Sequence, residues 1–186
     1  MVARMARVVV AGMPHHVIQR GNRRQDVFFN DEDRQAYLKI LQEQSRKYDV
    51  EIWAYCLMRN HVHLIAAPRQ EPSLALAIGE THKRYTRMIN FRERWRGYLW
   101  EGRFKSFVLD EVYIYAAVRY VERNPVRAKI VTKAEDYYWS SARAHVSRLD
   151  DQVLSEFYLM DEIEDWSQYL EQEDRGEEDG TVRPHI

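Results

Sequence analysis

A single cysteine, Cys56, stands in 186 residues. That excludes an internal disulfide framework and any zinc centre built from several thiolates. Long apolar runs are missing too: nothing approaches the roughly eighteen consecutive residues that a membrane span needs. The early run Val8-Val9-Val10-Ala11 is too short for the core of a secretion signal, so a cytoplasmic protein is expected. No internal repeat is visible, which argues against a solenoid or propeller. What is present suffices for one ordinary domain with an appendage, since 45% of the residues are hydrophobic.

The net charge of −1 conceals an uneven distribution. Residues 150–186 carry 13 Asp/Glu against 2 Arg, whereas residues 1–149 hold 26 Lys/Arg against 16 Asp/Glu. A basic body suits a polyanion, and the division at 149/150 separates it from an acidic tail expected to be mobile. Between Lys83 and Lys105 stand eight basic residues and only two acidic ones, interleaved with Tyr85, Phe91, Trp95, Tyr98, Trp100 and Phe104. Cations beside rings suit a nucleic acid with unpaired bases. Several of these rings must also be core.

The pattern along the chain predicts a β-α-β-β-α-β order. Residues 15–19 form a first strand, ended by the turn signal Arg20-Gly21-Asn22-Arg23-Arg24. Asp31 would cap a helix to about Lys47. Strands follow over 51–58 and 61–67, joined at Arg59-Asn60, and Pro72-Ser73 opens a helix to about Arg92. Residues 98–109 read as a fourth strand broken at Gly102, and Asp110 would cap a third helix that ends at Asn124, before Pro125. A short helix fits 140–148. This order is the ferredoxin-like α+β arrangement: an antiparallel sheet with two helices on one face. The third helix can then cross the other face.

The chemistry concentrates in Asn60-His61-Val62-His63-Leu64-Ile65. Residues two apart on a strand share a face, so His61 and His63 can reach one cation while Val62 and Leu64 point into a core. Tyr120 and Asn124 are one helical turn apart on one side of a helix. Two imidazoles and an amide oxygen suit Mg2+ or Mn2+ better than structural zinc, which favours four N/S ligands. Beside such an ion a tyrosine hydroxyl could attack a phosphodiester, which points to DNA strand cleavage. Hydrolysis by a metal-bound water would need no tyrosine. Each residue also has a plainer reading: HxH as ordinary strand, Tyr120 as packing, Asn124 as a helix-end residue. Tyr113 lies two turns earlier with Ala117 at i+4, which cannot ligate, and Tyr115 falls on another face. His15 and His16 could add a ligand or a phosphate contact, although they read first as strand-edge surface residues, and His82 reads as facing solvent or DNA.

Four blocks in order make the sequence resemble the IS200/IS605-type single-tyrosine (Y1) HUH transposases, and most of all the REP-associated tyrosine transposases. They are Pro14–Arg24, Leu57–Leu64, Leu99–Ser106 and Arg119–Ala128, within roughly residues 8–146. The resemblance implies that His61 and His63 are metal ligands, Asn124 the third, and Tyr120 the nucleophile. It implies nicking and strand transfer on hairpin-containing single-stranded DNA, through a 5′-phosphotyrosine and a free 3′-OH. Hairpin contacts would come from Arg20, Arg23 and Arg24, from Lys83, Arg84 and Arg87 on the second helix, and from Arg103 and Lys105. The REP-associated kind points to a monomer rather than a homodimer. One departure is Arg59, where many relatives carry proline before Asn-His-Val-His. The competing readings are a catalytically silent hairpin-binding regulator and a replication-initiator-like HUH nickase, the latter disfavoured by the short chain without a helicase segment.

Overall fold

The computed structural model describes residues 8–172. Four antiparallel strands form one sheet in the order β2-β3-β1-β4: β1 is His15–Arg20, β2 Val50–Met58, β3 His61–Pro68 and β4 Lys105–Val108. Helix α1 (Asp31–Lys47) joins β1 to β2, and α2 (Glu71–Glu93) joins β3 to β4. The expected ferredoxin-like order is therefore the observed one. Alternation decides the layers. Val17, Val62 and Leu64 point to one side, where Tyr37 and Leu41 of α1 and Leu74, Ile78, Tyr85 and Ile89 of α2 close a core. Ile65, Ala67 and Cys56 point to the other side, under Ile114, Ala117, Val118 and Val121 of α3 (Tyr113–Arg127).

Several boundaries differ from the expectation. The cap of α1 is Asn30, whose side chain accepts from the Asp33 amide at 2.9 Å; Asp31 is already helical. Strand β4 is only four residues long. Leu99, Trp100 and Phe104 are buried by their side chains, but the chain turns through 101–103 before pairing with β1. Helix α3 does not stop at Asn124: it runs through a buried Pro125 to Arg127, with Ala128 closing on the Asn124 carbonyl. Proline removes one amide bond there, while Val121 and Pro125 are both buried within the helix.

The acidic segment is also not mobile throughout. Phe157, Leu159, Trp166, Tyr169 and Leu170 are buried in the α3-side core, carried partly by α5 (Leu159–Glu162) and α6 (Trp166–Glu171). Among its described residues Phe157, Trp166 and Tyr169 pack inward, whereas Tyr158 and the carboxylates of Glu156, Asp161, Glu162, Glu164, Asp165 and Glu171 are exposed. Helix α4 (Ala142–Ser147) precedes it. The remainder of the tail, from 173 on, lies outside the described residues.

Candidate active site

The α3-facing side of the sheet carries the histidines. In the β1–β3 register Ile18 lies opposite His63 and Arg20 opposite His61, so these four side chains share a face. Ile18 is also opposite Lys105 on β4, which brings that exposed lysine to the same face. The His61 and His63 rings are 5.0 Å apart between centroids. From above, Tyr120 lays its ring 5.6 Å from His63, edge to face. Of Tyr113 and Tyr120, Tyr120 is the one with ring contacts to these histidines among the described residues.

Asn124 is held in a defined orientation. Its Nδ2 donates to the Tyr120 carbonyl at 3.0 Å, one turn back. Asn124 also hydrogen-bonds the His61 ring. On the other side of that ring, His61 Nδ1 lies 2.7 Å from Asn60 Oδ1. A donor from Nδ1 to an amide oxygen leaves Nε2 as the lone-pair nitrogen, the arrangement that metal-bound histidines need.

His16 is the residue that sequence reading missed. It is buried, not at a strand edge, and its Nε2 sits 2.9 Å from His63 Nδ1. Its ring also meets Tyr120 edge-on at 5.7 Å. Two tautomer arrangements satisfy that bond. Only the one in which His63 Nδ1–H donates to His16 leaves His63 Nε2 free for a cation. The signal for this in the sequence was the period-two spacing: His16 lies two before Ile18 and four before Arg20, on the histidine face. His15, also buried, hydrogen-bonds the Met13 carbonyl through Nδ1 at 2.8 Å.

Burial sets the charge of the cluster. Desolvation lowers His16 and His61 from 6.5 to about 4, with Arg20 adding to the effect on His61. His63 is lowered well below its ordinary value by burial, then by His16, His61, Arg20 and Arg127. Neutral imidazoles near pH 7 are the ligating form. Cys56 lies opposite His63 in the β2–β3 register, but burial raises its thiol, which stays protonated. Among the described residues no group of three or more His, Cys, Asp or Glu could hold a metal. The donor set that fits a cation here is two imidazoles plus the Asn124 oxygen, with open positions for water and phosphate.

Above the cluster, the Arg127 guanidinium lies over the Tyr120 ring at 4.7 Å. The remaining predicted cations divide. Arg23 and Arg24 are exposed in the turn after β1, both with left-handed backbone (φ 53° and 59°). Gly21 N–H donates to the Asn60 carbonyl, and Asn60 Nδ2 to that of Arg24, so this turn adjoins the His61 end of the sheet. Arg103 is exposed two residues before Lys105. Lys83, Arg84 and Arg87 are on α2, in the layer across the sheet from the histidines; Lys83 pairs with Glu80 and Arg84 with Glu43. His82 is buried rather than facing solvent: Tyr37 Oη lies 3.0 Å from its Nε2, and Trp100 packs on it at 4.6 Å.

A ferredoxin-like sheet with an HxH strand beneath a helix carrying Tyr and Asn at i, i+4 is what the resemblance to single-tyrosine transposases calls for. The family profile described as "Transposase IS200 like" matches residues 9–124. The chain belongs to that family. Among solved structures, it is similar to a REP-associated tyrosine transposase bound to a REP hairpin, with TM-score 0.67 and 20% identity over 84% of this chain and 93% of that one. A second similar chain, provisionally assigned as a transposase from Deinococcus radiodurans R1, has TM-score 0.44 and 21% identity over 68% of this chain and 92% of that one. No curated protein matches the sequence. Among the described residues, no helix is long and apolar enough to cross a membrane.

Proposed function

We propose that this transposase-family protein nicks and rejoins hairpin-containing single-stranded DNA, with Tyr120 as nucleophile. The observation that carries the reading is the convergence of His61 and His63 of β3 with Tyr120 and Asn124 of α3 on one face, although α2 and β4 separate these two elements in sequence. The solved relative's REP hairpin supports a hairpin substrate, and the basic body supports a polyanion.

His61 and His63 would hold the cation through ring nitrogens, with Asn124 supplying an oxygen. A bound Mg2+ or Mn2+ supplies Lewis-acid polarisation of the scissile phosphate and offsets its developing charge. Tyr120 Oη forms a bond to phosphorus as the bond to the 3′ oxygen breaks. The phenol loses its proton and the departing 3′ oxygen gains one. A 5′-phosphotyrosine and a 3′-OH result, and the reverse attack by a 3′-OH rejoins strands. Arg20 and Lys105 flank the histidines on the same face and bind flanking phosphates. A monomer, acting in the cytoplasm with its own tyrosine, suits this arrangement because Tyr120 already meets the histidines of its own chain.

The test uses a labelled hairpin with single-stranded flanks, in Mn2+ or Mg2+. The double variant His61→Ala/His63→Ala should bind the hairpin about as the wild type does, because phosphate contacts supply most of the affinity. It should not cleave. Cleavage retained in that variant, or metal-independent cleavage by the wild type, would refute the proposal. Hairpin binding without cleavage by the wild type would favour the silent-regulator reading.

A further inference from the structure

Of the six rings between Lys83 and Lys105, three are core: Tyr85, Trp100 and Phe104. The other three stand in solvent, with Phe91 90%, Tyr98 86% and Trp95 45% exposed. Every residue from 91 to 98 is exposed. Large rings clustered in water along one short segment mark an interaction site more often than a scattered apolar surface does.

The segment is folded into a fixed hook. Arg94 ends α2 in the left-handed region (φ 55°), and the Trp95 amide bonds back to the Asn90 carbonyl at 2.9 Å. The Asn90 side chain donates to the Gly97 carbonyl at 3.0 Å, with Gly97 at φ 102°, a conformation that favours glycine. Trp95 leans edge-on against Phe29 at 5.6 Å. Exposed Arg94 and Arg96 alternate with the rings within the segment, Arg87 lies one helical turn before Phe91, and exposed Arg103 follows Tyr98 by five residues.

Its position is equally specific. The chain leaving the hook is stitched to the turn after β1: the Asn22 amide donates to Leu99 O at 2.8 Å, and the Glu101 amide to Arg20 O at 2.8 Å. Arg20 is the residue opposite His61. Rings and guanidinium groups therefore sit at the sheet end where His61 begins β3. A ligand that is polyanionic and offers flat faces matches both; an acidic peptide would match only the charge.

We propose that residues 91–98 form a stacking platform for unpaired bases of the DNA strand flanking the cleaved phosphate, with Phe91 and Tyr98 as the principal rings. This rests on the DNA-nicking reading above and extends it to a recognition site for the single-stranded flank. Such a platform tolerates any base, because each offers a π-face.

The test compares a blunt hairpin with the same hairpin carrying a six-nucleotide single-stranded flank, 2-aminopurine being placed in the flank. For the full-length wild type, the flank should tighten binding and its fluorescence should be quenched. Phe91→Ala and Tyr98→Ala should each weaken the flanked hairpin by about fivefold to a hundredfold. Blunt-hairpin affinity should not move, and Tyr98→Phe should behave as the wild type. Because both side chains are exposed, the variants should keep the wild-type melting temperature. A wild type that gains nothing from the flank, or variants that retain the gain and the quenching, would overturn the platform alone. Binding of neither DNA would overturn the underlying reading with it. Equal losses on both DNAs, with loss of a dimer in sedimentation, would assign the rings to a contact between copies and overturn the platform.

Discussion

His16 shows how one buried side chain can determine whether another is a ligand. His63 can offer Nε2 to a cation only while its Nδ1–H donates to His16. His16→Ala should therefore weaken Mn2+ binding in calorimetry about 10- to 100-fold, the usual effect of removing a partner behind a ligating histidine. His16→Gln, which keeps an acceptor, should recover part of the loss. Hairpin affinity measured without metal should be unchanged in both. Equal Mn2+ affinity in wild type and His16→Ala would remove His16 from the site.

The same histidines make stability depend on pH in a predictable direction. Their folded values are lowered, so below pH 6.5 the unfolded chain binds more protons than the folded one. Stability should be full above pH 6.5 and fall as pH drops towards about 4. For fully buried His16 the loss by pH 4.5 is of order 2–3 kcal/mol. Urea midpoints in EDTA at pH 7 and 4.5 measure it, and His16→Asn should reduce the difference. A midpoint that does not move with pH would contradict the burial of these rings.

At the scale of elements, α3 is both the roof of the site and the anchor of the acidic segment. Glu122, fully buried two residues beyond Tyr120, accepts from Ser141 Oγ, from His145 Nδ1 at 2.6 Å and from Trp166 Nε1 at 2.8 Å. One carboxylate thus ties α3 to α4 and α6. Glu122→Ala orphans the buried His145 and Trp166 donors, Ser141 Oγ keeping the Tyr55 carbonyl as an acceptor, and should cost about 3–5 kcal/mol in urea unfolding. A cost below about 1 kcal/mol would mean that the network does not hold the helix. Gly21 has a comparable role in the first turn, since a Cβ there would lie 2.2 Å from the Gln25 carbonyl oxygen. Gly21→Ala should shift the Arg20–Arg24 turn and weaken hairpin binding.

Legibility in the sequence followed the range of the forces involved. Strands β1 to β3 and helices α1 and α2 were readable because their periods and turn residues are local. Strand β4 was overextended because buried Leu99, Trp100 and Phe104 mimic strand alternation, although packing alone requires them. The proline rule ended α3 too early, because burial against the sheet is not visible in a dipeptide. His61, His63, Tyr120 and Asn124 were readable from spacing and resemblance. His16 and His82 were not, since the partners that bury them lie 47 and 45 residues away.

For the whole molecule, charge and packing are segregated. The acidic C-terminal segment is joined to the basic body by its aromatic residues, with Trp166 only 2% exposed against α3 and α4. Removing residues 150–186 should therefore lower the melting temperature rather than only strip charge, because a packed aromatic cluster goes with it. An unchanged melting temperature would contradict that packing. Salt should weaken hairpin binding log-linearly. Alanine at Arg23, Arg24 or Lys105 should each lower the slope by about 0.9, whereas Lys83→Ala, across the sheet and already paired with Glu80, should change it less.

The central claim is that Tyr120 becomes covalently joined to DNA. Full-length protein incubated with Mn2+ and flanked hairpin DNA should be denatured, digested with protease and nuclease, and read by mass spectrometry. The account predicts a nucleotide adduct on the peptide carrying Tyr120, absent from Tyr120→Phe. An adduct on Tyr113 instead, or strand cleavage with no protein-linked nucleotide, would contradict it.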